Sequence, residues 1–174
     1  MWIFGYGSLM TDGWEKDFDC LQRVTAELKG YRRAFNKASV SNWGTRDYPC
    51  PTLNLMPDAN ACCLGIAFEF SEARTGDVEA YLTLREGKNF KLFYFEVIAE
   101  GSGVIQALIP LYTGKNIIRT PDTRATIELA SHAKGSSGKC SDYVLDVYEQ
   151  LTKLGINDPA VTEMRNLLCR GRLV

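Results

Sequence analysis

The apolar pattern of this 174-residue chain is mostly strand-like over its first two thirds and helical over its last, and that division restricts what it can fold into. Over most of the first two thirds, aromatic and β-branched residues come in short runs bounded by turn signals, the mark of strands. Residues 2–6 (Trp-Ile-Phe-Gly-Tyr) form a first strand that opens into glycine. Residues 23–35, continuing loosely through Val40 and Trp43, form a second. Residues 52–56 read as a short strand closed by a turn at Pro57-Asp58-Ala59-Asn60, and residues 61–70 as a separate buried strand. Residues 91–99 and 104–112, joined by Glu100-Gly101-Ser102-Gly103, predict a hairpin. Within this β-rich region only residues 76–85 repeat at helical spacing, through Val78, Tyr81, Leu82 and Arg85.

The last third is helical. Helices are expected from Asp122 to Ala133, over residues 142–154 and over 159–168, the last with Asp158 as N-cap and Pro159 in its first position. Strands first and helices last, with one helix inserted, predict an α+β fold rather than an alternating parallel sheet. Several short strands leave edges to be hidden, so a small closed β-barrel with peripheral helices is the expected architecture. The length fits one domain over residues 1–174.

Charge narrows the partners. With 20 basic and 21 acidic residues the net charge is −1, which gives no electrostatic reason to expect nucleic acid or an acidic membrane. A small-molecule partner is expected; the oligomeric state is not legible. No apolar run approaches the ~20 residues that span a bilayer, and the start of the chain lacks a signal-peptide pattern. The six cysteines include no C-x-x-C pair, and Cys62 and Cys63 are adjacent. That spacing matches neither a zinc framework nor a recurrent disulfide pattern, so the thiols read as mostly reduced and the compartment as cytoplasmic.

Chemistry concentrates in two places. Gly5-Tyr6-Gly7-Ser8-Leu9 follows the first strand. Its glycines allow positive φ and close backbone approach, so successive N–H groups can converge on an anion, with the Ser8 hydroxyl beside them. A plain strand-ending turn is the alternative. Met10 breaks the dinucleotide fingerprint G-x-G-x-x-G, and the nucleophile elbow G-x-S-x-G is absent as well. The second place is Arg85-Glu86-Gly87, at the end of the inserted helix. An exposed ion pair is the simplest account. A carboxylate at the negative end of a helix is nevertheless unfavourable by ~0.3–1 kcal/mol, and that field, with partial burial, favours the protonated form and suits a general base. His132, the single histidine, lies in a helical segment and reads as structural; a metal site is short of imidazoles and paired thiolates.

Three segments together resemble the γ-glutamylcyclotransferases, specifically their ChaC-like, glutathione-specific branch. They are Met1-Trp2-Ile3-Phe4-Gly5-Tyr6-Gly7-Ser8-Leu9, then Tyr81-Leu82-Thr83-Leu84-Arg85-Glu86, then Gly135-Ser136-Ser137-Gly138-Lys139-Cys140-Ser141-Asp142-Tyr143. The resemblance implies a small mixed barrel and formation of 5-oxoproline from a γ-glutamyl compound such as glutathione, with no cofactor and no metal. It also implies substrate contacts from Ile3, Phe4, Gly5, Tyr6, Gly7, Ser8, Leu9 and Tyr143, with Glu86 as the acid/base group. Three departures bear on substrate choice: Asn89-Phe90 where the family has Gly-Tyr, Cys140 in place of asparagine, and Tyr48-Pro49-Cys50-Pro51-Thr52 in place of Pro-Gly-Arg. Two other readings compete: a non-catalytic module binding a γ-glutamyl or amino-acid ligand, and a thiol-reactive protein using Cys62 or Cys63.

Overall fold

A computed structural model describes residues 1–119 and 123–171. Five strands close a barrel in the order β1-β3-β2-β4-β5, with β1 at Trp2–Gly5, β2 at Gln22–Ser39, β3 at Cys50–Glu69, β4 at Phe90–Ala99 and β5 at Gly103–Tyr112. The helices are α1 at Thr75–Glu86, α2 at Thr123–His132, α3 at Cys140–Lys153 and α4 at Pro159–Gly171. The α+β class and the barrel agree with the sequence pattern. Asp122, the expected start of α2, lies outside the described residues.

The chain divides into two compact units. The first comprises Met1–Arg32 and Leu55–Gly114. Here β1 pairs antiparallel with β3, Trp2 opposite Glu69 and Gly5 opposite Ile66, and parallel with β5, Ile3 opposite Leu108. The β4–β5 hairpin runs in full register from Phe90↔Tyr112 to Ala99↔Gly103, as its turn residues predicted. Phe4, Tyr6, Leu28, Leu55, Cys63, Val97 and Ile109 fill the interior.

One expectation fails here. Residues 50–69 form a single strand, not two strands with a turn at Pro57-Asp58-Ala59-Asn60. Proline interrupts a sheet by lacking an N–H, and Pro57 stands at an exposed position where that loss costs little. Asp58 is held by Arg32 of β2 at 3.3 Å, so the apparent turn former belongs to a cross-strand ion pair.

The second unit comprises Arg33–Asn54 and Lys115–Val174. Its core gathers Ala130, Ala133, Cys140, Val144, Met164 and Leu168, with Phe35, Trp43 and Tyr143 packed against them. The N-cap of α4 is the expected one: Asp158 Oδ1 accepts the Val161 N–H at 3.1 Å, and Pro159 opens the helix. Its other oxygen takes Arg33 Nη1 at 3.1 Å, and the Arg33 side chain has no solvent exposure. Cys50 and Cys140 form a disulfide across 90 residues, which corrects the reading of this pair as reduced thiols. Spacing could not show it, because the pairing follows from how β3 and α3 meet in space.

In denaturant without reductant, four of the six cysteines should titrate with a thiol reagent, and all six after reduction. Closing so long a loop constrains the unfolded chain, so reduction should lower the unfolding free energy by about 2–5 kcal/mol, read from urea denaturation with and without reductant.

Candidate active site

β1 is only four residues long and hydrogen-bonded on both sides, so it delivers residues 5–9 from a fixed point on the barrel. Ile3 and Phe4 are fully buried and anchor the strand in the interior, as Leu9 does for the loop. The Tyr6 hydroxyl donates to the Pro110 carbonyl at 3.2 Å. Ser8 to Met10 form one turn of 3-10 helix, with the Met10 N–H on the Gly7 carbonyl at 2.9 Å. Gly5 and Gly7 do not have positive φ. What matters near Gly5 is close approach: a Cβ at Gly65 of β3 would run into the Gly5 carbonyl oxygen and the Phe4 ring. Glycine at 65 lets β3 press against the end of β1 just where the loop begins.

Aromatic packing fixes the far side of the loop. Trp14, almost wholly buried, donates its indole N–H to the Leu9 carbonyl at 3.0 Å and packs on Phe68 and Phe70. Its ring lies nearly parallel to that of Tyr81 on α1, centroids 5.5 Å apart. Arg23 donates to the Met10 carbonyl at 2.7 Å. Sequence reasoning missed Trp14 and Arg23, since an indole or guanidinium that serves a backbone carbonyl leaves no motif.

α1 ends where the sequence said it would. Gly87, with φ 80°, terminates it and donates its N–H to the Thr83 carbonyl at 3.0 Å. Glu86 is therefore the last helical residue, and its side chain is 18% exposed, which sets aside the solvated ion pair. Arg85 beside it is the hub of the region. Its Nε lies 3.6 Å from Glu86 Oε1. Its Nη1 donates to the Tyr81 hydroxyl at 3.1 Å, and its Nη2 reaches Ser8 Oγ at 3.3 Å and Asp12 Oδ2 at 2.5 Å. Burial alone would lower the Arg85 pKa, but the hydrogen bonds to Asp12 and Tyr81 and the Asp12 charge outweigh it and hold the group above its ordinary value. One permanently charged guanidinium thus touches both the Glu86 carboxylate and the Ser8 hydroxyl.

Tyr143 belongs to the second unit, where its hydroxyl accepts the Leu53 N–H at 3.0 Å and its ring packs on Trp43. His132 closes α2 with Nδ1 hydrogen-bonded to the Glu128 carbonyl at 2.9 Å. Cys63 is buried, and Cys62, though exposed, has its thiol pushed up, first by desolvation and then by the Glu27 charge. A raised pKa leaves less thiolate, which counts against the thiol-reactive reading. Among the described residues no group of three or more His, Cys, Asp or Glu is placed to hold a metal ion, and no helix is long and apolar enough to cross a membrane.

The family model described as ChaC-like protein matches residues 1–170. The chain belongs to the ChaC-like family. Among its relatives, γ-glutamylcyclotransferase 2-3 of Arabidopsis thaliana is 30% identical, over 95% of this chain and 87% of the relative. Glutathione-specific γ-glutamylcyclotransferase 1 of Danio rerio is 30% identical over 86% of this chain and 78% of its own. In fold, the ChaC-like chain superposes on the yeast γ-glutamyl cyclotransferase specific to glutathione with a TM-score of 0.82, covering 99% of both chains at 17% identity.

The contact at Gly65 gives a direct test of how the loop is seated. Gly65→Ala should destabilise the fold by about 1–3 kcal/mol in urea denaturation, because backbone must yield to the new methyl. Gly76→Ala, on α1 with nothing within 4 Å of the added carbon, should leave stability unchanged or slightly raised.

Proposed function

We propose that this chain is a γ-glutamylcyclotransferase that cleaves glutathione, or a closely similar γ-glutamyl compound, into 5-oxoproline and the released amine. For glutathione that amine is cysteinylglycine. The observation that carries the reading is the Arg85 guanidinium, which contacts Glu86 on one side and Ser8 of the glycine loop on the other. A proton acceptor and the proposed carboxylate nest then belong to one cluster, in a chain of the ChaC-like family.

The substrate carries its own nucleophile. The α-amine of the γ-glutamyl unit attacks the γ-amide carbon and closes a five-membered ring, and the C–N bond to the leaving amine breaks. At neutral pH that amine is protonated and inert. Glu86 takes the first proton from the ammonium as attack begins and hands it to the departing nitrogen as the amide breaks. The ring nitrogen sheds a second proton as the new bond forms, and the released amine takes it up to leave as an ammonium, so no net proton is consumed. Backbone N–H groups at Gly7 and Ser8 hold the α-carboxylate, which bends the chain toward ring closure. An intramolecular attack held in that form gains an effective molarity of ~10⁵ M or more in favourable cases. Gly5, Tyr6 and Leu9 shape the pocket floor, Ile3 and Phe4 support it from the core, and Tyr143 is assigned to the substrate pocket by its place in the third motif.

The reading treats residues 1–174 as one functional domain, as the match over 1–170 supports. It needs no cofactor and takes a small molecule rather than nucleic acid or membrane as partner. A cytoplasmic setting is part of the proposal. Cys50 and Cys140 have no solvent exposure, so their disulfide is shielded from the thiols of a reducing compartment.

Incubation with glutathione should yield 5-oxoproline by mass spectrometry. Glu86→Gln should lower kcat by about 10²-fold or more while circular dichroism stays native. Full turnover by that variant would remove Glu86 as the base. Tight calorimetric binding of glutathione without 5-oxoproline would instead leave the chain a binding module.

A further inference from the structure

We propose that Asp12 is a positioning residue for this reaction, acting as a latch that makes Arg85 hold the glycine loop against the helix carrying Glu86. The inference rests on the cyclotransferase reading and extends it to a residue outside all three motifs. Arg85 Nη2 reaches Ser8 Oγ at 3.3 Å and Asp12 Oδ2 at 2.5 Å, so one nitrogen grips the segment at two points along its length. The Met10 N–H on the Gly7 carbonyl and the Trp14 indole on the Leu9 carbonyl fasten the residues in between. On the α1 side the guanidinium is steadied by the Tyr81 hydroxyl at 3.1 Å, and Tyr81 itself is stacked on Trp14. The Glu86 carboxylate lies at the remaining edge, 3.6 Å from Nε.

The two negative charges on Arg85 are not equivalent. Asp12 meets it at hydrogen-bond distance and Glu86 does not. Ser8 contributes only a hydroxyl, so Asp12 is the charged anchor of the loop on Arg85. Its side chain is 40% exposed, and ion pairs with that much water contact contribute little to folding. The pair is therefore poorly placed as a stability device and well placed as a geometric one. Ring closure needs the amine near Glu86 while the carboxylate sits on the loop, and a displacement of about 1 Å between such groups can cost ~10²-fold in rate.

The test compares Asp12→Ala and Asp12→Glu with the native protein. In Asp12→Ala, kcat for 5-oxoproline formation should fall ten- to a hundredfold, KM should change less than threefold, and the melting temperature should stay within about 2 °C. Backbone amides of residues 7–12 should exchange hydrogen at least tenfold faster, with the β4–β5 hairpin unaltered. Asp12→Glu, which keeps the charge, should recover most of both properties. Native kcat together with native loop exchange in Asp12→Ala would overturn the latch. So would a general loss of stability that Asp12→Glu fails to reverse, which is the behaviour of a merely structural residue. A lower KM at unchanged kcat would also overturn it, since Asp12 would then be competing with the substrate carboxylate for Arg85. If the native protein forms no 5-oxoproline, the reaction assignment falls by itself, and the exchange comparison still decides whether Asp12 holds the loop.

Discussion

The parallel pairing of β1 with β5 is the constraint on which the rest of the first unit depends. Without it the sheet would be an open ribbon, with β1 exposed along one edge. With it, the four residues of β1 pair with β3, Trp2 and Ile3 pair with β5 as well, and the backbone beyond them leaves the barrel from a fixed point. The loop at residues 5–9 gains its rigidity from that point. The close approach at Gly65, the indole of Trp14 and the guanidinium of Arg23 then only have to hold a segment whose origin is already set.

What the sequence made legible was local. The hairpin between β4 and β5 could be read from Glu100-Gly101-Ser102-Gly103, and the stop of α1 from Gly87, since a residue with φ 80° suits glycine. Asp158 before Pro159 announced α4 for the same reason. Each signal depends on neighbours a few residues away. The expectations that failed involve partners distant in sequence. Pro57 and Asp58 look like a turn until Arg32 is seen across the sheet, and Cys50 looks like a core thiol until Cys140 meets it. Asp12 is an ordinary turn residue in isolation, and only the fold reveals that it faces Arg85.

The same contrast applies to the candidate site. Glu86 and the glycine loop were named from pattern and family resemblance, and the structure adds the group that touches both. Arg85 could be dismissed in sequence as one half of a surface ion pair. In the fold it is four-fifths covered and shared among a hydroxyl, a phenol and two carboxylates. Guanidinium suits this position because its planar fork points donors in several directions at once and never loses its charge, whereas an ammonium would serve fewer partners less directionally.

Asp158 carries a consequence for how the second unit comes apart. One of its oxygens starts α4 and the other neutralises an arginine sealed inside β2. Peeling the C-terminal helix away by itself would withdraw a counter-charge from a guanidinium with no access to water, a state of high energy. Partial fraying at that end is thereby discouraged, and helix and strand are expected to melt as a single cooperative block.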